Sequence, residues 1–158
     1  MSLPIVFDEW IFHDLDGENG VERQEETFDL LVKLLRICDR IVMLDDSPFV
    51  VKWYEFYANA QNDLNRRIMS NYLNDSIFTN DLKIYKLTQE DIKPIPKNLA
   101  KLVPISDQYL IQSYLKVQHQ SGFIVTTDGK WKHKKLTNKS IDIRMRDDFV
   151  KKYLRTNL

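Results

Sequence analysis

Residues 123–127 read FIVTT, between Gly122 and Asp128, and this stretch is the clearest strand in the chain. Its residues are apolar or β-branched, and the glycine and aspartate beside it are typical strand boundaries. A strand that lacks polar alternation is typical of a parallel sheet covered by helices on both faces. The stretch therefore predicts an α/β fold, in which the rest of the chain supplies parallel strands and covering helices.

The rest of the chain alternates between short apolar stretches and helical patterns, which predicts a mostly parallel central sheet. Further strands are predicted at residues 4–7, 40–44, 82–87 and 141–145. Helices are predicted at residues 21–38, 48–62, 63–73, 106–119 and 146–155. Ser47 and Pro48 are typical of a helix start, and Ser106 is a candidate helix cap. Residues 14–20 and 88–104 are expected to be connections, the second with one helical turn.

The composition predicts one globular domain over residues 1–158 and excludes several kinds of site. The 23 basic and 23 acidic side chains cancel, so any attraction to nucleic acid must come from a local patch. Cys38 is the only cysteine, which excludes an internal disulfide and a cysteine-based zinc site. Its helical pattern places Cys38 in the core. The four glycines form neither a dinucleotide fingerprint nor a phosphate-binding loop.

No stretch approaches the roughly 18 apolar residues of a membrane span, so no membrane partner is expected. The first ten residues, MSLPIVFDEW, lack the basic leader and long apolar stretch of a signal peptide. Together with the single cysteine, these features predict a cytoplasmic protein.

Four carboxylates from distant parts of the chain are expected to converge at one edge of the sheet. Asp8 follows the first strand and Asp128 follows the FIVTT strand, whereas Asp107 opens the helix that leads into that strand. Glu55 lies in the helix that follows the second strand. Sites in open α/β sheets form outside the carboxyl ends of the strands, which is where these side chains are predicted to lie.

Converging carboxylates repel one another unless a cation neutralises them, and Mg²⁺ or Mn²⁺ prefers such oxygen-rich sites. A pair of these ions can activate water for phosphodiester hydrolysis. Each acid also has a purely structural interpretation. Asp8 and Asp128 suit turns, Asp107 suits a helix N-terminus, and Glu55 suits a solvated helix face.

The order of these residues resembles that of a PIN domain. Residues 103–128, VPISDQYLIQSYLKVQHQSGFIVTTD, resemble its second half, in which an aspartate opens a helix and an apolar strand ends in Thr-Thr-Asp. Residues 4–10 (PIVFDEW) resemble its first strand and first aspartate, and residues 47–55 (SPFVVKWYE) resemble the helix with its glutamate. Residues 130–154 resemble its closing strand and helix.

The resemblance implies a Rossmann-like three-layer fold and a metal-dependent endoribonuclease, since PIN domains mostly cut RNA. It implies Asp8, Asp107 and Asp128 as ligands of Mg²⁺ or Mn²⁺, Glu55 as a further catalytic acid and Thr127 as a polar helper. Many PIN domains are toxins of toxin–antitoxin pairs and many dimerise, so an antitoxin protein and a homodimer are expected partners beside RNA.

Two positions depart from the family pattern. Glu9 and Trp10 stand where the family usually has Thr or Ser and then Asn. Glu9 could add a ligand, but Trp10 cannot supply the amide of an asparagine. This departure leaves open a PIN-like module that binds RNA or protein without cutting. Glu25 and Glu26 are alternative acids if Glu55 is not the family's glutamate.

A basic segment follows Asp128 directly. Its residues Lys130, Trp131, Lys132, Lys134 and Lys135 are candidates for RNA binding, because lysines hold phosphates and an indole stacks on bases. The structural alternative is a solvated connection whose tryptophan packs on the core. Two further questions stay open. The aromatic stretch at residues 53–57 could be core or dimer interface, and a receiver-type phosphoacceptor domain would need a lysine after a late strand.

Overall fold

The computed structural model describes residues 2–129, 136 and 139–156, which form a parallel sheet covered by helices. The strands of this part of the chain pair in the order β3-β2-β1-β4-β5, and every pair is parallel. Their bounds are β1 Pro4–Phe7, β2 Arg40–Leu44, β3 Ile84–Leu87, β4 Phe123–Thr126 and β5 Ile143–Met145. The predicted α/β fold with a parallel sheet is confirmed.

Helices occupy most of the connections between these strands. In chain order they are α1 Trp10–Leu15, α2 Val21–Arg36, α3 Pro48–Ala60, α4 Leu64–Leu73, α5 Lys97–Ala100, α6 Gln108–Val117 and α7 Arg146–Arg155. A π-helical turn, Asn74–Phe78, extends α4, and 3-10 turns, Ile105–Asp107 and Gln118–Gln120, flank α6. Among the described residues no helix has the length and apolar character that a membrane crossing requires.

The two central strands, β1 and β4, form the middle of the hydrophobic core. All four residues of each strand are buried, and Phe7 pairs with Val125 across the ladder. Helix α6 packs on β1, β2 and β4, whereas α7 packs on β4, β5 and α2. Connections between parallel strands are right-handed, so α6, which leads back across the sheet, covers the opposite face from α2. The result is a three-layer α/β arrangement.

The strand order reverses direction between β1 and β4. The chain builds β1, β2 and β3 outward on one side and then returns through α6 to place β4 on the other side of β1. The carboxyl ends of β1 and β4 therefore flank a topological switch point, where the helices diverge to opposite faces and leave a crevice. The residues that directly follow these strands, Asp8 after β1 and Thr127 and Asp128 after β4, lie at this crevice.

Most predicted elements are confirmed, including the start of α3. The Ser47 hydroxyl accepts a hydrogen bond from the Val50 amide and Pro48 opens the helix, as the sequence indicated. In the aromatic helix segment, Trp53 and Phe56 are core residues, whereas Tyr54 is 60% exposed. The core interpretation is therefore right for Trp53 and Phe56 and wrong for Tyr54.

Three sequence predictions are wrong. Helix α2 ends at Arg36, so Cys38 lies beyond it and is exposed rather than buried. Ser106 caps nothing, because Pro104 begins a 3-10 turn and Asp107 takes the N-cap position of α6. Part of the predicted loop at residues 14–20 belongs to α1, whose short sequence WIFHDL is buried on nearly all sides and shows no helical periodicity.

Candidate active site

Asp8 is held rigidly at the end of β1. Its amide donates to the Val125 carbonyl (3.2 Å), which continues the β1–β4 ladder by one residue. One carboxylate oxygen accepts from the Glu9 amide (2.7 Å) and the other from the Thr126 hydroxyl (2.9 Å). The same Thr126 hydroxyl accepts from the Asp128 amide (3.1 Å), so one buried threonine ties the ends of both strands together. These bonds fix the orientation of the Asp8 carboxylate and leave its outer lone pairs available.

Asp8 and Asp128 both lie within electrostatic range of Asp107. Asp107 occupies the N-cap position of α6 without making a side-chain cap bond. Burial, followed by the negative charges of Asp8 and Asp128, raises the pKa of the Asp107 carboxyl above its ordinary value. The three aspartates predicted from the sequence therefore lie near one another at the switch point, where the charges of Asp8 and Asp128 both act on Asp107 and Thr126 links Asp8 to Asp128.

Glu9 belongs to the same neighbourhood. Burial and the charge of Asp8 raise the pKa of Glu9; Lys52 opposes the shift, and Asp107 adds to it. Glu9 also lines a cavity of about 440 Å³ together with Asp8 and Thr127. Thr127 is exposed on the wall of this cavity, whereas its neighbour Thr126 makes the hydrogen bond to Asp8.

Glu55 pairs with Lys52 and not with the aspartates of the crevice in the described part of the chain. It lies in the middle of α3 as predicted, and its exposed carboxylate accepts a 3.0 Å hydrogen bond from Lys52 on the same helix. The Lys52 hydrogen bond to Glu55 and that carboxylate's charge, aided by Glu9 and Glu18, raise the pKa of the lysine. Lys52 thus pairs with Glu55 and also lies within electrostatic range of Glu9 at the crevice. The alternative acids lie elsewhere: Glu26 pairs with Arg146, and Glu25 lines a separate groove between α2 and α4.

The structure gives roles at the crevice to Trp10 and Tyr109 that the sequence analysis did not predict. Trp10 is 4% exposed and donates from its indole nitrogen to the Val125 carbonyl (3.0 Å), while its ring stands edge-on to Phe7. The Tyr109 hydroxyl is buried and has no hydrogen-bond partner in the described part of the chain. Burial and the charges of Asp8, Glu9 and Asp107 raise the pKa of that hydroxyl, which places it beside the acids. Neither role leaves a local sequence signal.

A buried cluster of charged side chains packs against α1, the helix that directly follows Asp8 and Glu9. The sequence analysis did not predict this cluster. Asp14 of α1 is fully buried and accepts hydrogen bonds from Thr27, Asn19 and Arg146, whose guanidinium is 3% exposed. The Arg146 guanidinium also lies over the Trp10 ring, 5.5 Å from its centroid. The cluster joins α1, α2 and α7, so it fixes α1 against the core directly after Asp8 and Glu9.

The donor set suits a hard divalent cation in its chemistry, because it consists of carboxylates whose repulsion a cation would relieve. As the side chains lie, however, no three acidic, histidine or cysteine side chains of the described residues are arranged around one point that could hold a metal ion. The basic residues Lys130, Trp131, Lys132, Lys134 and Lys135 lie outside the described part of the chain, so their predicted role in RNA binding stays a prediction.

Comparison with known proteins gives no relative: no family model, no curated protein and no solved structure matches this chain. The fold and the grouping of acids therefore rest on the chain's own sequence and structure.

Proposed function

We propose that this protein is a metal-dependent endoribonuclease whose site is formed by Asp8, Asp107 and Asp128. The observation that carries the proposal is the placement of these three carboxylates at the switch point of a parallel sheet, where the Thr126 hydroxyl links the Asp8 carboxylate to the Asp128 amide. Burial and the charges of Asp8 and Asp128, which raise the pKa of Asp107, place that third carboxylate near the other two. Neighbouring carboxylates are unfavourable unless one of them is protonated or a cation neutralises them, and oxygen-rich groups of this kind suit Mg²⁺ or Mn²⁺. The resemblance of the strand ends and of residues 103–128 to a PIN domain supports the same activity.

The chain's own residues would divide the work. Asp8, oriented by Thr126 and the Glu9 amide, would hold the ion together with Asp107 and Asp128. When bound there, Mg²⁺ or Mn²⁺ would supply Lewis-acid activation of water and of the phosphate. Thr127 at the cavity wall would contact the substrate, while the basic residues at 130–135 would bind RNA phosphates.

Metal binding can be measured without any activity. A ligand at ten times its dissociation constant stabilises the folded protein by about 1.4 kcal/mol, which for a chain of this size is roughly 3–5 °C in the unfolding midpoint. We expect Mn²⁺ to raise the midpoint of the wild-type protein and to leave that of Asp107→Asn unchanged. The control is Asp29→Asn, an exposed aspartate of α2 that lines the groove between α2 and α4 rather than the crevice; it should respond like the wild type.

The activity test is cleavage of a mixed pool of single-stranded RNA in Mn²⁺, with a chelator control. Wild type and Asp29→Asn should cut, whereas Asp107→Asn and Asp128→Asn should lose cleavage by at least a hundredfold while remaining folded. Equal cleavage by wild type and both site variants would refute the assignment of the site.

A second function is favoured by Glu9 and Trp10, which replace the family's small polar residues, and by the absence of a ready three-ligand group among the described side chains. In that case the protein is a PIN-like module that binds RNA or a protein without cutting. Such a module would gain no stability from Mn²⁺ and would leave the RNA pool intact. An antitoxin partner and a homodimer remain predictions under either function.

A further inference from the structure

Two arginines lie side by side beneath the crevice, and their hydrogen bonding differs sharply. Arg146 uses all five of its N–H groups, which donate to Asp14, Glu26, Asp147, the Thr27 hydroxyl and the Arg23 carbonyl at 3.1–3.4 Å. A guanidinium has only five such donors, so Arg146 has none left for a ligand. Arg146 is therefore a structural clamp.

Arg23, in the first turn of α2, is the opposite case. Its guanidinium makes no hydrogen bond within the described residues, and its buried Nε has no hydrogen-bond partner among them. The nearest carboxylate oxygens are those of Asp14 at 3.4 Å from Nε and Asp147 at 3.8 Å from Nη1. These two charges hold the guanidinium in place, while about a third of the side chain remains exposed to solvent.

The position of Arg23 connects it to the site. Arg23 and Thr127 line the cavity of about 440 Å³ that contains Asp8 and Glu9, and both also line an adjoining cavity of about 300 Å³ beside Arg146. Among the described residues that line the larger cavity, Arg23 is the one arginine or lysine. An anion entering an otherwise acidic cavity would be attracted to this side chain, whose fork of N–H donors matches two phosphate oxygens.

We infer that Arg23 is a substrate contact that binds a phosphate of single-stranded RNA next to the phosphate held at the aspartates. The inference rests on the proposed ribonuclease function and names the residue that positions its substrate at this end of the crevice. Thr127 lines both cavities and would therefore lie beside the strand that joins the two phosphates.

The experiment measures binding of a fluorescently labelled single-stranded RNA by anisotropy over a range of KCl concentrations. A constant concentration of Ca²⁺ replaces Mn²⁺, because Ca²⁺ binds carboxylate oxygens and so neutralises the aspartates, and gel analysis checks that the RNA stays intact. Each phosphate contact to a single strand contributes about 0.7 to the slope of log K against log salt. Arg23→Gln should lower that slope by about 0.7 and weaken binding about tenfold at low salt. Arg23→Lys should retain the slope, because it keeps the charge.

The matched control is Arg36→Gln, which removes the same charge from the exposed far end of the same helix. It should change the slope by much less. Arg23→Gln should fold, because Asp14 keeps its hydrogen bonds from Arg146, Thr27 and Asn19, and an unchanged unfolding midpoint checks this.

The outcomes separate this inference from the proposed function when RNA cleavage in Mn²⁺ is measured in parallel. If the wild type cuts RNA and Arg23→Gln binds no worse than Arg36→Gln, the Arg23 contact is refuted and the nuclease proposal stands. If the wild type binds RNA through Arg23 without cutting, the contact stands and the binding module is favoured. If the wild type neither binds nor cuts, both proposals fall.

Discussion

Replacing Arg146 with methionine would leave the Asp14 carboxylate buried without its principal cation. Asp14 is fully buried, and its remaining partners would be the Thr27 hydroxyl, the Asn19 amide and a poorly aligned Arg23. Breaking a buried ion pair by removing one partner costs about 3–5 kcal/mol. Because Arg23 lies 3.4 Å away and can compensate in part, we expect the lower end, about 3 kcal/mol.

Equilibrium unfolding in urea measures this loss. With a slope of about 2 kcal/mol per molar, the midpoint of Arg146→Met should fall by about 1.5 M. Arg155→Met, an exposed arginine in the last turn of the same helix, should change the free energy of unfolding by less than about 0.5 kcal/mol.

The double variant Asp14→Leu with Arg146→Met distinguishes the cost of burying an unpaired Asp14 carboxylate from the loss of Arg146 side-chain packing. Removing both charges together should recover at least half of the lost stability, since the unpaired charge is then gone. A fall of less than 0.3 M for Arg146→Met alone, equal to that of Arg155→Met, would refute the reasoning that this cluster holds α1 in place.

Three further predictions concern the crevice. The carboxyl of Asp107 has a raised pKa in the folded protein, so its ionisation above that pKa opposes folding. Asp107→Asn should therefore raise the unfolding midpoint at pH 7 in EDTA. This gain in stability should disappear as the pH falls through the folded pKa toward 3.8, the ordinary value. Tyr109→Phe removes a buried hydroxyl that lacks a described partner, so urea unfolding should detect no loss, whereas a loss above about 1 kcal/mol would indicate an unrecognised partner. Gly122→Ala should cost about 1–3 kcal/mol by the same assay, because the added Cβ would lie 2.8 Å from the Val117 carbonyl oxygen; full stability would contradict the close approach.

Much of the fold could be predicted because its signals are local. The strands at β1, β2 and β4 are short apolar runs, and the Ser47–Pro48 start of α3 is a capping signal within four residues. The placement of Asp8 and Asp128 followed from the same patterns, since each directly follows a strand that could be recognised. Helix α1 was missed because six residues buried on nearly every side carry no periodicity.

The support of the candidate site could not be predicted, because it joins residues that are far apart in the chain. Trp10 reaches the Val125 carbonyl across 115 positions, and Arg146 reaches Asp14 across 132. Composition and spacing give no preference for either pairing over the many others available. Thr126 was likewise passed over in favour of Thr127, because only the strand register decides which of two adjacent hydroxyls turns toward Asp8.

The sequence by itself determined that the chain forms parallel strands with acids at their ends, because hydrophobic periodicity, caps and turn residues act over a few positions. The tertiary structure alone decided that β1 and β4 are neighbours, that the charges of Asp8 and Asp128 both act on Asp107, and that Glu55 pairs instead with Lys52. It also decided that the guanidinium of Arg146 uses all of its N–H donors in hydrogen bonds, whereas that of Arg23 makes none among the described residues. The physical reason is that hydrogen bonds and charge interactions depend on distances of a few ångströms between side chains, and those distances are set by packing.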